Sequence, residues 1–106
     1  DQGNSAAIRL SYDGAQAPAA QFELFQNQPN PFAAYTDIRF YVPQSSDVIL
    51  RVWDATGRVL VDQHNSYAKG EHQIRLEKEL SEAQGVLYYQ IQSGSYTATR
   101  KMIRIN

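Results

Sequence analysis

Cysteine is absent from this 106-residue chain, which excludes disulfide staples and thiolate metal sites while leaving the cellular compartment open. Histidine is scarce: His64 and His72 are the only two, too few for the converging ligands of a zinc site. No run approaches the roughly 18 apolar residues of a membrane-spanning helix. The opening DQGNSAAIRL lacks the basic and apolar regions of a secretory signal, so an exported form implies a longer precursor. There is no Gly-rich phosphate loop and no G-x-S-x-G elbow to expose a nucleophilic serine. The formal charge of −1 points neither to nucleic acid nor to an anionic membrane as partner.

The distribution of charge is more informative than its sum. Residues 97–106, TATRKMIRIN, carry Arg100, Lys101 and Arg104 against no acid, leaving 7 basic and 11 acidic side chains upstream. The local basic cluster therefore lies on the last segment. The length suits one domain with its own core. Residues 1–20 hold one short β-like run, Ala7 to Tyr12, then the small-residue stretch Gly14, Ala15, Gln16, Ala17, Pro18, Ala19 and Ala20. They read as the end of an upstream passenger plus a linker, with the domain proper over 21–106.

From Gln21 onward, short runs rich in β-branched and aromatic residues are broken by turn residues about every ten to twelve positions, the spacing of an antiparallel sandwich. Strands are expected at Phe22–Gln26, Thr36–Val42, Val48–Trp53, Arg58–Gln63, Gly70–Leu76, Val86–Gln92 and Tyr96–Ile105. In the second, Ile38, Phe40 and Val42 share a buried face. The third, VILRVW, is apolar on both sides and reads as central. DATG at 54–57 and SGS at 93–95 are tight turns, Gly57 supplying the positive φ of the first. KELSEAQ at 78–84 supports at most one short helix. Seven strands make an all-β, immunoglobulin-like sandwich.

Candidate chemistry is thin. His72 falls in line with Ile74 and Leu76 and reads as a packing histidine. Glu77, Glu79 and Glu82 sit in one polar connection rather than across a cleft. Tyr35 and Tyr67 are aromatic residues in edges or loops that a carbohydrate-stacking platform could use. No metal, cofactor or catalytic group is expected.

The markers are PNPF (Pro29, Asn30, Pro31, Phe32), DATGR (Asp54, Gly57, Arg58), KGEH with Gly70, LSEAQGVLYYQI with Gly85, and TATRKMIRIN. In this order and spacing the chain resembles a type A C-terminal sorting domain of the type IX secretion system of Bacteroidetes, over Phe22 to Asn106. That resemblance implies an immunoglobulin-like sandwich and no catalysis. It also implies a domain that directs a fused passenger from the periplasm through an outer-membrane translocon to the cell surface. A sortase-like peptidase would then cut upstream of the first strand, within Gly14–Ala20, where extended, unpaired backbone suits proteolysis. The expected partners are the translocon, the peptidase and the passenger, with no nucleic acid; the terminal edge strand also offers itself for homodimer pairing. A structural or assembly module and a carbohydrate-binding module are the competing readings.

Each marker has a structural role too: PNPF as a rigid crossover whose Phe32 caps the core, DATGR as a hairpin with an Arg58–Asp54 pair, and the glycines as strand starts. On the last strand, Ile103 and Ile105 are expected to anchor to the core beside Thr97, Thr99 and Lys101. Ala98, Arg100, Met102 and Arg104 then face outward. Arg100, Lys101, Met102 and Arg104 are the expected translocon contacts.

Overall fold

The computed structural model describes residues 21–105. Seven strands follow in order: β1 (Glu23–Leu24), β2 (Thr36–Val42), β3 (Ser46–Asp54), β4 (Val59–Tyr67), β5 (Gly70–Leu76), β6 (Gly85–Ser93) and β7 (Tyr96–Arg104). They form two antiparallel sheets, β1-β2-β5 and β4-β3-β6-β7. The expected all-β sandwich of seven strands is the fold.

Strict alternation builds the core. Ile38, Phe40 and Val42 of β2 face Val48, Leu50 and Val52 of β3 and Leu87, Tyr89 and Ile91 of β6, all buried. Their partners in register extend the layer, Ile38 against Ile74 in one sheet and Leu50 against Ile91 in the other. Burying a large aliphatic side chain stabilises by roughly 1.5–3 kcal/mol, so the inward half of each strand fixes its register; a slip of one residue would expose the whole set. β3 and β6 lie at the centre of their sheet, which is why VILRVW and VLYYQI are apolar on both faces.

The turns form where expected. Asp54 Oδ1 accepts the Thr56 amide (2.9 Å), the Thr56 hydroxyl (2.6 Å) and the Arg58 amide (3.0 Å). Gly57, at φ 91°, donates to the Asp54 carbonyl at 2.9 Å. Arg58 Nε stands 3.4 Å from Asp54 Oδ2, so the pair exists, but the turn rests on hydrogen bonds to one carboxylate. Ser93 and Tyr96 pair across a second tight turn. Of KELSEAQ only a 3₁₀ turn forms, Lys78–Leu80, with Leu80 buried.

Several expected boundaries shift by one or two residues, β3 for instance running Ser46–Asp54, and the changes in β1 and β4 have identifiable causes. β1 shrinks to two residues because the Asn27 amide leaves the ladder for the Tyr89 hydroxyl, at 2.8 Å. β4 runs on from Gln63 to Tyr67, paired with β3 through Ser46↔Tyr67. The polar run HNS carries no hydrophobic alternation, yet pairing with a central strand satisfies the backbone groups on its β3 side without a buried face.

Candidate recognition site at the terminal strand

β7 is the edge strand of the four-stranded sheet and pairs with β6 along its whole length, from Ser93↔Tyr96 to Gly85↔Arg104, without a bulge. Its two faces are the reverse of the sequence expectation. Met102 is 0% exposed, in the core with Leu87 and Tyr89, and Ala98 and Tyr96 pack against that core. Ile103 and Ile105 are 36% and 51% exposed. The inward face is thus Tyr96, Ala98, Arg100, Met102 and Arg104, and Met102 is not available as an outward contact. The physical reason lies in the two arginines. Arg104 gives Nε and Nη1 to main-chain carbonyls, and Arg100 gives Nε to one while staying exposed, so a charge on the inward face is tolerated without burial of an unpaired ion.

Arg100 Nε donates to the Leu24 carbonyl at 2.7 Å, bridging the two sheets. Arg104 does more: Nε donates to Ala33 O at 2.9 Å, and Nη1 to the carbonyls of Leu80 and, at 2.9 Å, Ala83. One guanidinium therefore ties the end of β7 both to the segment after PNPF and to the 78–84 connection. Lys101 alone among the expected basic contacts projects from the outer face of the sheet with Ile103.

The PNPF crossover lies along the free edge of the same strand. Phe32 forms a parallel bridge with Arg104: its amide donates to Ile103 O at 3.0 Å, and its carbonyl accepts the Ile105 amide at 2.7 Å. Asn30 Oδ1 accepts the Ile103 amide at 3.0 Å, and Gln26 Nε2 donates to Lys101 O at 2.9 Å. Phe32 itself is buried, capping the core as expected. The Ile103 amide and carbonyl, the Ile105 amide and the Lys101 carbonyl are thereby satisfied by residues 26–32.

A buried polar network holds the crossover in place. Tyr89 Oη donates to the Phe25 carbonyl at 2.7 Å and accepts the Asn27 amide. Asn27 Nδ2 donates to Thr36 Oγ1 at 2.9 Å and Pro29 O at 3.1 Å, and Thr36 Oγ1 donates to the same Pro29 carbonyl at 2.9 Å. Burial pushes the Tyr89 hydroxyl above its ordinary value, with the Asn27 amide acting against that shift. Asn27, Thr36 and Tyr89 were not among the sequence candidates. Asn27 gives no periodic signal, and Tyr89 sits in a strand where packing alone accounts for a tyrosine.

The remaining sequence candidates divide. Gly85 opens β6 directly opposite Arg104 of β7, whereas Gly70 opens β5 in the other sheet. Asp54, Gly57 and Arg58 occupy the β3–β4 turn at the same end of the sheet as Ile103: Asp54 pairs with Leu87 of β6, which in turn pairs with Met102. His72 is half-buried between Phe40 and Tyr67, its Nε2 2.6 Å from Ala68 O. Tyr35, which lies under the Arg75 guanidinium at 4.1 Å, and Tyr67, edge-on to Phe40 at 5.1 Å, do not come together in one platform. The expected cleavage region Gly14–Ala20 is outside the described residues. Among the described residues, no three His, Cys, Asp or Glu side chains converge to hold a metal ion.

Two of the motif segments, PNPF and the terminal strand, thus meet along one edge of the sandwich. Residues 28–106 match the family model described as the secretion system C-terminal sorting domain, and the chain belongs to that family, the type IX sorting domains. Neither a curated protein nor a solved structure matches the chain. The family is one of sorting signals rather than enzymes, and membership implies an attached passenger secreted to the cell surface or beyond.

Proposed function

We propose that the domain carries its passenger across the outer membrane by presenting the terminal strand, held in shape by the PNPF crossover, to the type IX translocon. The supporting observation is the convergence of two family markers, PNPF and the terminal strand, through Asn30 Oδ1 to the Ile103 amide and the paired hydrogen bonds of Phe32. Recognition then depends on a folded edge and not on a loose basic tail. Of the basic side chains, Lys101 and the exposed Arg100 are the direct contacts, Arg100 also bridging to Leu24, while Arg104 sets the strand's position. A sortase-like peptidase then removes the domain by cutting within residues 14–20, leaving the passenger at the outer membrane surface. That stretch is suited to proteolysis because its small residues supply little surface to bury.

Deleting residues 97–106 would remove Met102 from the core along with the signal, so a gain of export is the cleaner test. Residues 1–106 fused behind a folded periplasmic reporter in a type IX host should bring the reporter to the cell surface or medium, and its intact mass should show an end within residues 14–20. A folded fusion that stays in the periplasm overturns the sorting reading. Export with the domain still attached overturns only the cleavage.

A further inference from the structure

The unbroken β6–β7 register fixes the direction of each backbone group on β7. In an antiparallel pair, alternate residues exchange both hydrogen bonds with the partner and the intervening ones aim away. The Ile103 amide and carbonyl turn away from β6, to Asn30 and Phe32, so the groups of Lys101, Thr99 and Thr97 turn the same way. Only the Lys101 carbonyl is taken, by Gln26. Among the described residues, the amides of Thr97, Thr99 and Lys101 and the carbonyls of Thr97 and Thr99 have no partner. The latch thus ends at a definite point and leaves a short run of edge open.

We propose that Thr97–Lys101 is a docking edge that takes one extended, acid-bearing strand from the secretion machinery by β-augmentation, and this rests on the sorting reading above. Main-chain bonds to a bare edge supply affinity, and side chains alongside it supply selectivity. The side chains here are cationic. Lys101 stands at one end of the run, and Arg100 is exposed and its side chain, among the described residues, bonds only through Nε, to Leu24 O. At the other end Phe22 stacks on Tyr96 with ring centroids 4.9 Å apart, so the neighbouring acid Glu23 favours an incoming strand whose own acid lies toward Lys101. A lysine on an edge also discourages pairing with a second copy, whose own strand carries the same charges and no acid. Heterologous pairing is therefore favoured over self-pairing.

Proline at an outward amide blocks edge pairing while leaving the β6 ladder intact. In the reporter fusion, Thr99→Pro should fold normally by circular dichroism yet reduce export at least tenfold. Thr97→Asp/Thr99→Asp/Lys101→Glu, which alters no backbone bond, should do the same and serves if the proline variant fails to fold. Wild-type export by a folded Thr99→Pro fusion, or by the triple variant, overturns the docking edge. So does loss of a dimer in sedimentation with export unchanged, since the edge then serves a second copy. Failure of the unsubstituted fusion to be exported overturns the sorting reading itself, which separates the two.

Discussion

The side-chain oxygen of Asn30 accepts the main-chain amide of Ile103 at 3.0 Å, across 73 residues of sequence. A side chain in the PNPF crossover thereby substitutes for the strand that would otherwise continue the sheet beyond β7. Asn30→Ala frees that amide to solvent. The loss of one such bond costs about 0.5–1.5 kcal/mol, a fall of several degrees in melting temperature for a domain of this size. Amide exchange at Ile103 should accelerate well beyond that at Met102, whose amide stays in the β6 ladder. Equal acceleration at both positions would show that the crossover supports the whole strand rather than its edge.

Core substitutions on β7 should rank by the observed faces. Met102→Ala empties a site with no solvent access and should cost about 2–5 kcal/mol. Ile103→Ala, on the outer face, should stay within about 0.5–1 kcal/mol. Chemical denaturation of the two variants reads the difference directly, and the opposite order would reverse the face assignment.

That assignment marks where the sequence stopped being legible. The strands, the two hairpin turns, the capping by Phe32 and the glycine starts of β5 and β6 follow from alternation and turn chemistry, because those signals are local. On β7 the alternation is equally clear, but it does not say which face is inward. Ile103 and Ile105 outweigh Ala98 and Met102 in hydrophobicity, and two arginines on one face point it outward unless their carbonyl partners are known. Those partners, at Leu24, Ala33, Leu80 and Ala83, are set by the crossover and the 3₁₀ connection and lie 21 to 76 residues away. The Asn27–Thr36–Tyr89 network was hidden for the same reason.

Tyr89→Phe tests that network with little change of shape. The hydroxyl is the donor to Phe25 O and the acceptor for the Asn27 amide, and Asn27 is 1% exposed. Removing the hydroxyl strands a buried amide, a cost of about 1–3 kcal/mol. Melting should show the loss, and the amide of Asn27 should gain exchange by the same factor as global unfolding or more. A melt identical to the parent's would mean that water enters to replace the hydroxyl.

Acid should weaken the domain through two surface carboxylates. The paired hydrogen bonds from Arg75, at 2.8 and 3.0 Å, hold Asp37 below its ordinary 3.8 despite partial desolvation. The Thr56 hydroxyl, followed by the amides of Arg58 and Thr56, does the same for Asp54. A carboxyl whose folded value is depressed adds stability that is complete above the unfolded value and lost as pH falls through the folded one. Melting temperature should thus be flat with respect to these groups above about pH 5 and fall from about pH 4 downward. Asp37→Asn should flatten part of that fall, and an unchanged slope would exclude Asp37 as a contributor.

Arg104 is the most connected side chain on β7, and its replacement separates charge from geometry. Its planar fork reaches three carbonyls in two different segments, at Ala33, Leu80 and Ala83. A lysine keeps the charge but offers donors from a single atom, which cannot span both segments. Hydrogen bonds to a charged group each contribute about 1.5–3 kcal/mol, so Arg104→Lys should lose at least one such increment and Arg104→Met more. The loss should be local first. The 78–84 connection, with Leu80 and Ala83 packed in the core, should show faster exchange at the Ala83 amide in Arg104→Lys before the melting temperature has fallen far. If Arg104→Lys melts with the parent and leaves that connection protected, the charge alone suffices and the fork geometry is incidental.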